Sequence, residues 1–235
     1  MEMISIIIPT LNEEERLPLL FDSLKGFDGE IIVSDAGSKD RTLEIAERYN
    51  CKVVKGGSPA KGRNEGAKAA KEDLFLFLDA DVFLTNNFIE NALSEFKRRN
   101  LDIASFRILP EKGKLSLLFF NLFYNYPIII LEKILPHSGM GIMVKKELFF
   151  KINGFNEKIF LGEDHDFGRR GAKIARFGII RSAKIIFSLR RLETDGWIKT
   201  FLRYFLCELH MIFIGPVEKD IFKYRFNHYF EKKDK

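Results

Sequence analysis

The stretch Leu74-Phe75-Leu76-Phe77-Leu78-Asp79-Ala80-Asp81 decides the fold: an unbroken apolar run closed by two aspartates one residue apart. A short apolar run with no polar interruption reads as a strand buried on both faces, the pattern of a parallel sheet covered by helices. Alternate side chains of an extended chain point the same way. Asp79 and Asp81 can therefore converge on one hard cation, or split between a cation and a sugar hydroxyl. Ligands of open α/β sheets bind just outside the carboxyl ends of the strands, where this pair falls. An isolated Asp-x-Asp is also a common turn, so its meaning depends on the rest of the chain.

Working outward, the first half alternates strands and helices. Residues 3–8 read as a strand ending at Pro9-Thr10, followed by a helix with Leu17, Leu20, Phe21 and Leu24 on one face. Residues 30–34 form a second strand ending at Asp35-Ala36-Gly37-Ser38, with Ser38 placed to cap the next helix. A third strand at 52–55 leads through Gly56-Gly57-Ser58-Pro59 to a helix of small residues, then to the 74–78 run. Asn86 or Asn87 is placed to cap a helix reaching about residue 98. This alternation predicts a mostly parallel, doubly wound α/β sheet. Beyond it, strands are expected at 102–108, 141–145 and 184–188, and helices at 146–152 and 163–176. Residues 115–135 are strongly apolar but carry Asn121, Asn125 and Pro127; an in-plane or buried amphipathic helix fits them better than a membrane span.

The 235 residues suffice for one large α/β domain with an appendage. Phenylalanine is the outlier at 24 residues, and the net charge is +5, a mild excess that suits phosphate-bearing ligands or an anionic membrane surface. No nucleic-acid-binding pattern is present. Two distant cysteines, Cys51 and Cys207, give neither a disulfide framework nor a zinc motif, so a reducing, cytoplasmic setting is expected. The N-terminus has no signal-peptide pattern.

Acids recur where strands end or helices begin: Glu13, Asp35, Asp79 with Asp81, and Gly162-Glu163-Asp164-His165-Asp166. Singly each reads as a cap or turn residue, but strand ends of one parallel sheet share a rim and can meet in one crevice. Carboxylates there suit a hard cation bound through oxygen, which can neutralise a departing diphosphate. A separate acid on the opposite face would deprotonate an attacking hydroxyl; Asp79/Asp81 and Asp164 supply candidates for the two tasks. Lys61 and Arg63, after the glycine turn, are placed to touch a nucleotide or phosphate. Arg190-Arg191 read as either a phosphate pair or a solvated pair, His137 as either a ligand or a structural residue, and His210 as structural. Walker, GxGxxG and nucleophilic Ser or Cys motifs are missing.

Taken together, these motifs resemble the family 2 inverting glycosyltransferases of the GT-A fold. The matching pieces are residues 5–14, 30–42, 61–66, 77–81, 154–157 and 162–167, in the family's order over about residues 3–195. The resemblance implies that Pro9, Thr10 and Glu13 border the donor nucleotide, with Asp35 on its base and Lys61 and Arg63 near the base or diphosphate. It implies Asp79 near the ribose, Asp81 as the main protein ligand of Mg2+ or Mn2+, and Asp164 as general base. Ser188-Leu189-Arg190-Arg191 is similar to a Ser-x-Arg-Arg segment of small members, implying that Arg190 and Arg191 meet phosphate on donor or acceptor; Glu163 and His137 are the further candidates for acceptor or phosphate binding. The processive synthases' Gln-x-x-Arg-Trp motif is absent, which implies transfer of one sugar at a time. Phe83 stands where polyprenyl-phosphate mannose synthases often carry Gln.

The expected organisation is a GT-A domain over residues 1–195 and a helical, aromatic-basic extension over 196–235. The expected donor is a UDP- or GDP-sugar, and the expected acceptor a hydroxyl or phosphate. The aromatic-basic segments at 115–135 and 197–230 point to a polyprenyl-linked acceptor and peripheral contact with the inner face of the cell membrane, or else to a homodimer interface. A nucleotide-sugar-binding module without catalysis and a sugar nucleotidyltransferase are the competing readings.

Overall fold

The computed structural model describes residues 3–222. Eight strands form one sheet: β1 (Ile4–Thr10), β2 (Glu30–Asp35), β3 (Lys52–Lys55), β4 (Leu74–Leu78), β5 (Val82–Leu84), β6 (Ile103–Pro110), β7 (Gly141–Lys145) and β8 (Phe177–Phe187), in the order β3-β2-β1-β4-β7-β6-β8-β5. The four strands β3, β2, β1 and β4 pair in parallel. Helices α1 (Leu17–Ser23), α2 (Thr42–Arg48) and α3 (Pro59–Ala69) make the crossovers between them. Parallel strands need such crossovers, and helices on both faces bury them.

From β4 onward the sheet is mixed. β7 runs antiparallel to both β4 and β6, β6 pairs in parallel with β8, and the short β5 returns antiparallel to β8. The alternation of the first half is thus continued by a different device: β7 enters between β4 and β6 from the opposite direction. β8 begins at Phe177, earlier than the expected 184, and β6 shifts register between Phe106 and Arg107 to follow it. The helix α8 (Glu163–Ala172) correspondingly stops short of residue 176.

Period-two alternation splits the core. Ile4, Ile6, Ile8, Leu74, Leu76 and Leu78 face α1 and α4 (Phe88–Arg98), packing on Leu17, Leu20 and Phe96. Ile7, Phe75 and Phe77 face the other way, into an aromatic cluster with Phe149, Phe155 and Phe167. Phe77 meets Phe155 edge-on at 5.1 Å, and Phe155 stacks on Phe167 at 4.2 Å. Phe149 comes from α7 (Lys146–Lys151) and Phe167 from α8, so this cluster fixes α8 against the face below Asp79. The helix α3 lies on the same face because two of its residues lack side chains. A Cβ at Gly66 would fall 2.3 Å from Ile7 Cγ2, and one at Gly62 3.0 Å from Pro9 Cβ.

Two expected caps take other roles. Ser38 does not cap α2, whose N-cap is Arg41. Its hydroxyl instead donates to Asp35 Oδ2 at 2.5 Å and accepts from the Asn12 N–H at 2.9 Å, stitching the first two strand-end loops together. Asn87 does precede α4, but in the left-handed conformation (φ 54°) and without a side-chain cap bond.

Residues 114–130 are helical throughout: α5 (Lys114–Phe120), a π-helical stretch Asn121–Asn125, and α6 (Tyr126–Ile130). The buried Asn125 explains the interruption. Its amide donates to the Ile108 carbonyl and accepts from the Ile108 N–H, closing the edge of β6. The last two helices among the described residues are α9 (Arg190–Asp195) and α10 (Trp197–Phe213). No helix among the described residues is long and apolar enough to cross a membrane.

Candidate active site

The carboxyl ends of β1, β2 and β4 share one rim, and the acids singled out in the sequence collect there. Asp35 closes β2 opposite Thr10 at the end of β1. Its carboxylate is organised by its own turn, accepting from the N–H groups of Gly37 (2.8 Å) and Ser38 (2.9 Å), and from Thr10 Oγ1 at 3.3 Å. Pro9, half-buried beside it, packs against α3 at Gly62.

Glu13 is 6% exposed, on the turn after β1. Its N–H donates to Thr42 Oγ1 at 2.7 Å, while its carboxylate lies 3.6 Å from Arg190 at the start of α9. Burial, reinforced by the negative charge of Asp81, pushes the Glu13 carboxyl up to about 8, against the opposing pull of Arg190 and Arg16. Glu13 Oε2 is buried without a hydrogen-bond partner. Glu13, Asp81 and Arg190, far apart in sequence, thus occupy one crevice. Arg191 follows Arg190, half-buried.

Arg63 is the centre of the site. It is 5% exposed and lies over the Phe155 ring at 5.3 Å. One guanidinium nitrogen donates to Glu163 Oε1 at 2.5 Å and the other to Asp79 Oδ1 at 2.7 Å. The guanidinium expected at the nucleotide is therefore committed to two carboxylates: it joins the Asp-x-Asp segment to the Glu-Asp segment of α8. A planar fork with fixed donors suits this bridge, where a lysine would supply only a point charge. Burial raises the Asp79 carboxyl to about 7, the Arg63 charge opposing and those of Asp81 and Asp164 adding to the rise. Glu163 is likewise raised by its burial, despite the pull of Arg63.

Asp164, next to Glu163 in the first turn of α8, is partly exposed, and its Oδ1 accepts from the His165 N–H at 2.8 Å. His137 sits across from it, its ring edge-on to His165 at 4.0 Å and to Tyr124 at 5.1 Å. Lys61 stays outside this group, exposed on the first turn of α3 with its alkyl chain over Gly57. His210, read as structural, bonds the Gly215 carbonyl through its ring at 3.0 Å.

Sequence reasoning missed Glu208, on α10, which meets His165 and Arg169. Nothing in its helical neighbourhood marks it except that it is the one acid in an apolar-basic helix. A separate concavity of about 710 Å3 shares no residue with the rim. Its Arg99 is already paired with Glu95 and Glu132, and its Arg169 with Glu208.

Residues 5–156 match the model of glycosyl transferase family 2. The chain belongs to that family. Over 180 residues it is 32% identical to a glycosyltransferase of Haemophilus influenzae, covering 70% of this chain and 60% of the relative. Over 92 residues it is 42% identical to the dolichol-phosphate mannosyltransferase of Pyrococcus furiosus, covering 34% of this chain and 26% of that one. The chain thus spans less than two thirds of these relatives' length. Its fold is similar to that of a mannosyltransferase from Pyrobaculum calidifontis in complex with GDP-Man and Mn2+, with a TM-score of 0.69, 18% identity, and coverage of 85% of this chain and 61% of that one. This likeness establishes the GT-A architecture.

Proposed function

We propose that the chain transfers one sugar from a nucleotide diphosphate sugar to a hydroxyl or phosphate oxygen of an acceptor, with inversion at the anomeric carbon. The observation that carries this reading is the Arg63 bridge. It holds a donor-side acid, Asp79, and Glu163, the chain neighbour of Asp164, on one buried guanidinium.

In this reading Pro9, Thr10, Glu13 and Asp35 wall the nucleotide, with Lys61 at its outer edge. Asp79 faces the ribose, and Arg190 and Arg191 face phosphate. The chain's own residues also fit a divalent cation. The donors at the rim are carboxylate oxygens, as Mg2+ and Mn2+ prefer, and Glu13 Oε2 is a buried oxygen with no hydrogen bond, its nearest cation the Arg190 guanidinium at 3.6 Å. Asp81 would hold the ion, with Asp79 and Glu13 nearby. Among the described residues neither aspartate belongs to a cluster of three ligating side chains, so donor phosphate oxygens and waters would complete the shell. When bound, the ion neutralises charge on the diphosphate leaving group. Asp164 takes the proton from the acceptor hydroxyl as its oxygen forms the new bond to the anomeric carbon. The carbon–oxygen bond to the diphosphate breaks on the opposite face, and its electron pair leaves with the nucleotide.

The acceptor is proposed to be lipid-linked and met at a membrane surface. Leu115, Ile130, Ile134, Ile198, Phe213 and Ile214 are each at least three-quarters exposed. Of the elements that carry them, α5 and the first part of α10 pack together through Phe119 and Phe201 at 5.5 Å and Phe119 and Trp197 at 6.2 Å. Exposed Lys114, Lys133 and Lys199 adjoin Leu115, Ile134 and Ile198 in the chain, the mixture expected of an interfacial face. The proposed boundary between the catalytic body and the extension falls at Gly196, whose φ of 90° separates α9 from α10. Of the aromatic-basic extension, residues 223–235 lie outside the described residues.

The test is a thermal-shift screen of UDP- and GDP-sugars with and without Mn2+, followed by transfer assays. A true donor raises the melting temperature by mass action. Asp164→Asn is expected to cost about 10²- to 10⁴-fold in turnover while keeping the donor shift. Asp81→Asn is expected to remove the cation dependence of that shift. Undiminished turnover in Asp164→Asn would sink the base assignment.

A further inference from the structure

The acceptor-side acid does not stand alone. His165 follows Asp164 on α8, and its imidazole lies between two carboxylates from different helices. His165 Nε2 is 3.7 Å from Asp164 Oδ1, and His165 Nδ1 is 3.0 Å from Glu208 Oε2 on α10. The other oxygen of Glu208 takes a bond from Arg169, one turn further along α8. Asp164, Arg169, Glu208 and His137 are the titratable and charged groups around this imidazole. Burial disfavours its charged form, but the two carboxylates outweigh burial and raise its pKa. For His137, burial and the neighbouring His165 charge outweigh the opposing pull of Glu208 and hold its pKa well below the ordinary range. For Glu208, burial pushes upward, yet the contacts with His165, His137 and Arg169 win and bring its carboxyl down to about 2.

Three further contacts clamp α10 to the turn that presents Asp164. Gly162, directly before the Glu-Asp pair, has φ 84° and passes so close to α10 that a Cβ would fall 2.5 Å from Met211 Sδ. Leu161 makes a β-bridge to Val217, beyond the end of α10. Cys207, adjacent to Glu208, is buried against Leu161 and Val217. Asp164 and all of these contacts lie beyond residues 5–156, the span that matches the family model.

A carboxylate at a helix start can turn about its side-chain bonds, and a base out of line with the hydroxyl it must deprotonate loses much of its effect. An imidazole set between two carboxylates, 3.7 Å from Asp164 and 3.0 Å from Glu208, can bias that rotation through its charge. We propose that Glu208, acting through His165, is a positioning residue for Asp164, so that α10 completes the acceptor side of the active site. This inference rests on the reading of Asp164 as the base.

The experiment measures Mn2+-dependent hydrolysis of the donor found in the screen, as turnover and KM, for Glu208→Ala, Glu208→Gln, His165→Gln and Asp164→Asn, with the melting temperature of each. Glu208→Ala is expected to lower turnover by about tenfold to a hundredfold, with donor KM within about twofold because the donor rim is untouched. Glu208→Gln keeps an acceptor oxygen for the imidazole and is expected to recover part of the loss; it also serves if the alanine variant folds poorly. Normal turnover in the Glu208 and His165 variants beside an inactive Asp164→Asn would overturn this inference and leave the base intact. An active Asp164→Asn would overturn both. Turnover loss that follows the fall in melting temperature equally in all Glu208 variants would mark general damage, and it too overturns the inference. So would one equivalent of zinc in the purified protein that His137→Ala removes, since the cluster would then be a metal site.

Discussion

On the proposed donor side, carboxylates stand at the ends of parallel strands, and Asp35 among them is oriented by groups close in sequence. Asp35 is held by the N–H groups of Gly37 and Ser38, and the first two loops are joined through Ser38 and Thr42. On the acceptor side, Glu163 is held by a guanidinium 100 residues earlier in the chain, and His165 faces a carboxylate on the last described helix. The donor rim is a product of local turn chemistry repeated along a sheet. The acceptor side is assembled by long-range ion pairs around an aromatic core, next to a surface that leaves large apolar side chains in solvent. The first kind of site tolerates distant change; the second depends on every element that contributes a charge.

Removing Arg63 is the strongest way to break this contrast. It is the one contact described here that belongs to both sides. Arg63→Ala leaves Glu163 and Asp79 facing each other without their shared cation. Breaking a buried pair by removing one partner costs about 3 to 5 kcal/mol, to be read by urea denaturation. Substituting Lys61, exposed and on the same helix, should leave stability within about 0.5 kcal/mol. A similarly small loss for Arg63→Ala would mean that the two sides are independently stable.

The Glu208–His165 pair sharpens the contrast through pH. The Glu208 carboxyl is brought down to about 2 from its ordinary 4.5, so its contribution is present above about 4.5 and lost as pH falls toward 2. His165 is raised above 6.5, so its contribution is complete below 6.5 and lost as pH rises through the folded value. The stability advantage of wild type over Glu208→Gln should therefore be largest between about pH 4.5 and 6.5, on the order of 2 kcal/mol, and shrink on either side. A difference that does not vary from pH 3 to 9 would remove the electrostatic account of the pair.

Gly66 tests the donor side in the same terms. Alanine there places a methyl 2.3 Å from Ile7 Cγ2, and overpacking of this kind costs about 1 to 3 kcal/mol. Alanine's better helix propensity returns at most about 1 kcal/mol. The net loss should appear as a lower melting temperature and a weaker donor-induced shift, since α3 pushed outward widens the cleft beside Pro9. A stabilised Gly66→Ala would show that α3 can retreat without cost.

The same contrast explains what could be read from the chain. The run from Leu74 to Asp81, the alternation before it and the glycines of α3 carry their meaning within a few residues, so the parallel half and the gathering of acids at its strand ends were legible. Arg63 was singled out, but its partners lie 16 and 100 residues away, and no periodicity encodes which carboxylate a guanidinium will meet. β5 has three residues and no pattern long enough to register. The antiparallel entry of β7 is set by packing between two finished strands, which is tertiary information. Glu208 lay in a helix whose apolar and basic residues drew attention to its outer face.

That outer face supplies the smallest effect on the fold and the cleanest separation of the two sides. Ile198 and Phe213, at opposite ends of α10, are 85% and 80% exposed, and neither touches Glu208 or the donor rim. Replacing both by Glu should change unfolding stability by no more than about 0.5 kcal/mol each and leave donor hydrolysis in solution at the wild-type rate. It should abolish flotation with liposomes containing anionic lipid, because it removes apolar area and places negative charge against an anionic surface. A wild-type protein that does not float, but elutes as a dimer which the double variant converts to monomer, would assign the face to a second copy of the chain. If the double variant floats like wild type, the acceptor is met elsewhere, and the apolar surface of α5 and α10 has no part in delivering it.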